Sequence, residues 1–326
     1  MATYKEIKGT DIQVVSSDPA NPTLGQIWYN TTSQSLKGQE FGVASWATGG
    51  NMGTAKAYLG SAGTQTAALA FGGATSPPFT PSNTTEEYDG SAWTAGGNLS
   101  IARYYLGGAG TQTAGLASGG QPPGIPDQTV TEEYNGSSWT SGGSLNTGRG
   151  SLASGTAAPQ TAAVAFGGSN SNASTEEYDG STWTASGNMI QGRGVLSGAG
   201  TQTAALGMGG EYPPASPLAD LTEEYNGSTW TAGGNLNNAK KVAAGFGLQT
   251  AALSAGGEAP GTSALTEQYD GTSWTNTTSM TTARRQLGGA GTTSAGLVFG
   301  GNTPPFTTAT EEFTGAGPTT VTISGS

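Results

Sequence analysis

Cysteine and histidine are both missing from this 326-residue chain. Their absence removes disulfide scaffolds, Ser-His-Asp and Cys-His nucleophiles, and the usual zinc, haem and copper ligand sets. Charge is scarce too: 10% of residues are Asp, Glu, Lys or Arg, with a net charge of −11 and a pI of about 4.3. That balance disfavours nucleic acid and anionic membranes as partners. Leu, Ile, Val and Phe make up about 13% of the chain, below the roughly 20% at which composition alone suggests disorder. No uninterrupted apolar run approaches the ~18 residues of a membrane span, and Met1–Glu6 has no apolar signal-peptide core. A soluble, non-secreted protein without membrane insertion is expected, and only carboxylate chemistry and oxygen-ligated cations stay open.

What is present is glycine, 56 of it, with 7 Trp, 11 Tyr and 8 Phe, too many rings for a solvated tail. A repeat accounts for both. Its signature is Thr-Glu-Glu-Tyr-(Asp/Asn)-Gly-Ser-x-Trp-Thr, which places Trp93, Trp139, Trp183, Trp230 and Trp274; a degenerate copy supplies Trp46, at successive spacings of 47, 46, 44, 47 and 44. A truncated copy, Thr310-Glu311-Glu312-Phe313, lacks the tryptophan, and the double glycine that closes a second recurrent block appears six times, from Gly72-Gly73 to Gly300-Gly301.

The segments between turn residues are four to eight long, which favours strands. Tyr-Asp-Gly-Ser and Tyr-Asn-Gly-Ser are hairpin signals, expected as type I′ turns with positive φ at both central residues. In one unit the expected strands are Tyr104–Gly108, Ala114–Ala117, Thr131–Tyr134 and a fourth around Trp139. Four short antiparallel strands per repeat make a propeller blade. Small residues in the first two strands suit the crowded axis, and Trp and Tyr fill the widening wedge.

Double glycine, spaced Tyr, spaced Trp and a cation before the next strand together resemble the kelch repeat of galactose-oxidase-like propellers, over roughly Trp46 to Phe313. The resemblance implies an all-β, six-bladed kelch-like propeller over 46–326 with a short N-terminal extension over 1–45, and implies little about activity, since such propellers serve mostly as binding platforms; an enzyme is not expected. The copper site of the oxidase in that wider family needs histidines and a cysteine that this chain lacks. The strand around Trp46 is expected to complete the sixth blade, with Pro318–Ile323 as the competing candidate.

Within residues 1–45, Gly25-Gln26-Ile27-Trp28-Tyr29-Asn30-Thr31-Thr32, then Leu36-Lys37, leads to Trp46. This run resembles a short module of bacteriophage tail and virion structural proteins. The resemblance implies a virion protein, in the tail as a fibre or appendage, attached to other virion proteins through Ile7, Ile12, Ile27, Trp28 and Tyr29. A hairpin that merely caps the propeller edge is the plainer reading of the segment. A head-attached decoration protein and a free-standing glycan-binding bacterial lectin are the alternatives for the whole chain, with a carbohydrate-active enzyme third.

Of 22 acidic residues, 14 recur with the repeat, which marks them as structural, since an active site is singular. The cations Lys56, Arg103, Arg149, Arg193, Lys240 and Arg284 also recur, and are expected to pair with a third-strand glutamate or to stack on a tryptophan. Residues that break the pattern sit in the loops between second and third strands. There Phe79, Tyr212 and Phe306 are candidate stacking groups for a host-surface glycan or protein, with Asp127, Glu211 and Asp220 as polar contacts. Proline-rich loops that only stiffen the rim would look the same. No catalytic residue, metal or cofactor is assigned.

Overall fold

The computed structural model describes residues 12–22, 25–122, 124, 126–212 and 218–323; its regular structure is β apart from a 3-10 turn at Ser169–Ser171. The chain forms two compact units, Met1–Ala44 with Gly315–Ser326, and Ser45–Thr314.

In the first unit Gln13–Val15 runs parallel to Ile27–Asn30; that strand pairs antiparallel with Ser35–Phe41, which pairs in turn with Pro318–Thr322. The C-terminal strand thus belongs to this sheet. Trp28 is fully buried. Its indole donates to Asp18 Oδ1 at 2.9 Å and Asn30 Nδ2 donates to the same oxygen at 2.7 Å; the Asn30 and Trp28 bonds hold the Asp18 carboxyl below its usual range.

The second unit contains six four-stranded antiparallel sheets, numbered here along the chain. The first has Gly60–Thr64, Ala67–Phe71, Thr85–Tyr88 and Trp93–Ala95; the second Gly107–Thr111, Ala114–Ser118, Thr131–Tyr134 and Trp139–Ser141. The third to fifth repeat this order, beginning at Ala153, Ser197 and Ala244. In the sixth, Gly288–Gly291, Ala295–Phe299 and Thr310–Thr314 take Ser45–Thr48 as their fourth strand, with Trp46 opposite Phe313 and ring centroids 5.0 Å apart. The strand around Trp46, rather than Pro318–Thr322, completes this sheet.

Two local expectations are corrected. The first strand of the second sheet begins at Gly107, not Tyr104, because Tyr105 adopts a left-handed φ of 56° and turns its N–H sideways to Tyr58 O. The hairpins are not type I′: the glycine has positive φ (Gly90 at 92°) while Asp89 does not. The central pair is Gly90-Ser91, with Asp89 N bonded to Ala92 O, and glycine at the first central position is the type II′ pattern. The Asp89 carboxylate then accepts from the N–H groups of Ser91 and Ala92.

Four sets of bonds hold these sheets. Within each, the cation pairs with the first glutamate of the third strand: Lys56–Glu86 at 3.1 Å, Arg103–Glu132 at 3.0 Å, Arg193–Glu223 at 3.0 Å, Lys240–Glu267 at 3.1 Å, Arg284–Glu311 at 2.8 Å, and Arg149–Glu176. Burial drags these cations below their ordinary pKa values, and the facing glutamate pushes back. Between sheets, each tyrosine from Tyr88 to Tyr269 donates its hydroxyl to the second glutamate of the preceding sheet; examples are Tyr88 to Glu312 at 2.5 Å and Tyr269 to Glu224 at 2.6 Å. Each tryptophan from Trp93 to Trp274 donates to a threonine hydroxyl across the same boundary, as Trp183 does to Thr131 at 2.9 Å. Gln65, Gln112, Gln160, Gln202 and Gln249 each reach two backbone carbonyls of the preceding sheet.

First strands of neighbouring sheets approach so closely that a Cβ at Gly198 would lie 2.2 Å from Ser154 O, which only glycine allows. Just before these strands, six backbone bonds close a circuit through all six sheets. Tyr58 N donates to Gln286 O, Gln286 to Val242, Val242 to Val195, Val195 to Ser151, Ser151 to Tyr105, and Tyr105 back to Tyr58, each at 2.8–2.9 Å.

Candidate functional site

Every residue of this circuit is a non-glycine with left-handed backbone: Tyr58 59°, Tyr105 56°, Ser151 54°, Val195 48°, Val242 50° and Gln286 60°. For the branched Val195 and Val242 that conformation costs on the order of 1–3 kcal/mol, and such strain persists only where surrounding structure enforces it. Here the enforcing element is the hydrogen-bond circuit itself. The six residues and those that follow them, five leucines and Ala243, line an opening of about 100 Å³.

One side of this opening is aromatic. Tyr58 packs on Tyr105 at 4.4 Å, Phe79 at 6.0 Å, Phe306 at 6.1 Å and Tyr104 at 6.1 Å between ring centroids, while Phe79 meets Tyr104 edge-on at 5.1 Å. Phe79 remains 49% exposed. Burial, then the Tyr58 phenol beside it, pushes the Tyr105 phenol far up. These rings come from the first, second and sixth sheets.

The third to sixth sheets supply polar groups instead. A cleft of about 520 Å³ is lined by Ser151, Ser169, Asn170, Ser171, Gly194, Val195 and Glu211, and it shares Ser151 and Val195 with the opening. Beyond Glu211 runs a chain of half-buried ion pairs. Lys241 Nζ lies 2.6 Å from Glu211 and 4.0 Å from Glu258, and Arg285 pairs with Glu258. The backbone joins the two kinds of loop on this face: Tyr104 bridges Gln121, Lys241 bridges Glu258, and Arg285 bridges Asn302.

The structure brings Phe79 and Phe306 into one cluster and sets Glu211 on the cleft. Asp127 is held instead by Gln121 Nε2 at 2.7 Å; the Asp220 carbonyl accepts from Leu236 N at 2.8 Å; and Tyr212 is half-buried near Arg193. These three are not part of the aromatic cluster. Tyr58, Tyr104 and Tyr105 were hidden in sequence as first-strand residues. Their signal was misalignment: where Tyr58 and Tyr105 stand, the other repeats carry Ser151, Val195, Val242 and Gln286.

Of the attachment candidates, Ile7 lies outside the described residues. Trp28 is sealed inside its own unit, where it packs rather than presents a surface. Ile27 is half-buried, and Ile12 and Tyr29 are exposed at 40% and 36%. Among the described residues no three acidic side chains gather as a metal ligand set. No protein-family model matches the chain, and no curated protein matches it either.

Proposed function

We propose that residues 45–314 form a six-bladed kelch-like propeller and that the protein is a non-enzymatic binding component of a bacteriophage virion, a tail fibre or appendage. The propeller reading is supported by six equivalent sheets whose entry residues share one closed hydrogen-bond circuit. The binding reading is carried by one observation: a rigid opening with aromatic rings on one side and hydroxyl, amide and carboxylate groups on the other. Sites that fix a ligand usually combine an apolar surface with a few oriented polar groups. Catalysis is not proposed, because Glu211 is neutralised by Lys241 and Asp127 is held by Gln121.

The virion part rests on the likeness of Gly25–Thr32 and its flanks to phage structural modules, and the surface it leaves for other virion proteins is Ile12 and Tyr29. A free-standing lectin is the second reading, since the aromatic opening favours it equally. Immunogold labelling of intact particles separates the two. Label on the tail is the expected result, label on the head would select the decoration role, and particles without label would exclude a virion protein.

A further inference from the structure

We propose that this face binds a neutral oligosaccharide, with the apolar face of one pyranose on the aromatic cluster and the hydroxyls of a neighbouring sugar in the adjoining cleft. This rests on the binding reading above and adds the ligand class. A pyranose has an apolar C–H face and an equatorial belt of hydroxyls. Phe79, half-exposed and braced edge-on by Tyr104, offers the matching platform, and Tyr58 continues it to the opening. Ser151, Ser169, Asn170 and Glu211 line the cleft that continues from the opening, and hydroxyl, amide and carboxylate groups suit a ligand that both donates and accepts at each oxygen.

Charge decides against acidic or basic ligands. Lys241, which pairs with the cleft's Glu211, and Arg285 beyond it are matched by Glu211 and Glu258. An ionic ligand would have to break one of those half-buried pairs. Preorganisation lowers the cost of binding: the six entry residues are locked by their mutual bonds, so little ordering remains for binding to cause.

The test is a glycan array carrying neutral, sialylated and sulfated glycans, followed by calorimetric titration of the full chain with the best neutral oligosaccharide. Binding of neutral hexose-containing glycans is expected, weakened about tenfold or more by Phe79→Ala and by Asn170→Gly, which removes the amide and keeps the left-handed backbone, with the melting temperature unchanged. A folded protein silent on all neutral glycans overturns the proposal, as does preference for acidic glycans or for a proline-rich peptide, or an unchanged affinity in Phe79→Ala. If the purified protein still blocks adsorption of labelled particles while ignoring neutral glycans, only the ligand class fails.

A second inference rests on other residues and stands without the first. At the boundary between the fifth and sixth sheets two of the three ties that recur at the other boundaries are missing and the third is rerouted. Phe313 replaces the tyrosine and Gln268 the glutamate; Thr293 stands at the glutamine position; and the Trp46 indole donates to Thr278 O at 2.9 Å, leaving Thr266 Oγ1 buried without a partner. We infer that the ring of sheets parts first at this boundary. Hydrogen-exchange mass spectrometry should show residues 266–277 and 288–299 exchanging ahead of their counterparts in the other sheets. Gln268→Glu combined with Phe313→Tyr should slow that exchange about tenfold, whereas Gln268→Glu alone should speed it. Earlier opening at another boundary, or no gain from the double substitution, overturns the inference.

Discussion

The Tyr269 hydroxyl donates to Glu224 Oε1 at 2.6 Å, across the boundary between the fourth and fifth sheets. The same rung recurs from Tyr88 onward, so the second glutamate of each signature belongs energetically to the following repeat. Tyr269→Phe removes the donor from a carboxylate that has no other hydrogen-bond donor among the described residues. A loss of about 1.5–3 kcal/mol is expected, as for a hydrogen bond to a charged group, measured by urea denaturation. Removing the exposed hydroxyl of Tyr29 in the first unit should change stability by less than about 0.5 kcal/mol.

Alkaline pH should dissolve these rungs. Burial, and the glutamate each one faces, push Tyr88, Tyr134, Tyr178, Tyr225 and Tyr269 up to about 12 from an ordinary 10. Because the folded state holds the phenol proton more tightly than the unfolded chain, this stability is complete below pH 10 and is lost as pH rises toward 12. Lys56 and Lys240 work in the opposite sense, since burial lowers their pKa values and folding resists their charge. Five tyrosines against two lysines predict a net fall in melting temperature above pH 10, with the tyrosinate absorbance of those five residues rising only as the protein unfolds.

The buried ion pairs should be costly to break and less costly to replace. In the fourth sheet Arg193 and Glu223 are both almost wholly buried, and Arg193 also donates to the carbonyls of Gly209 and Leu221 at 2.7 and 2.8 Å. Glu223→Gln leaves the guanidinium without its counter-charge and should cost about 3–5 kcal/mol. Arg193→Met with Glu223→Met should recover part of that loss, because it removes both charges but strands the Gly209 and Leu221 carbonyls and the Ile190 N–H. Paired denaturation curves decide the matter, and equal losses in the single and double variants would contradict the expectation.

Crowding at the inner strands predicts a sharp contrast between glycines. Gly198→Ala forces a Cβ to within 2.2 Å of Ser154 O, a backbone atom that cannot step aside, whereas a Cβ at Gly261 meets nothing within 4 Å. The first should cost about 1–3 kcal/mol or prevent folding; the second should change stability by less than about 0.5 kcal/mol. Thermal melts of the two variants are sufficient.

Much of the architecture was legible in the chain because its bonds lie within one repeat or between consecutive ones. Thr131–Tyr134 and the strand at Trp139 stand where turn residues and alternation put them, and the pairing of each cation with a third-strand glutamate spans less than a repeat. The start of the first strand was not legible, because the φ of Tyr105 is set by a bond to Tyr58 in another sheet.

The sequence by itself determined a repeating all-β chain, excluded cysteine and histidine chemistry, and marked Phe79, Glu211 and Phe306 as departures from the repeat. Only the tertiary structure decided what those departures make. Tyr58 and Phe306 come from opposite ends of the repeat array, and no spacing rule relates them. They meet at 6.1 Å because the backbone bond from Tyr58 N to Gln286 O brings the last sheet against the first.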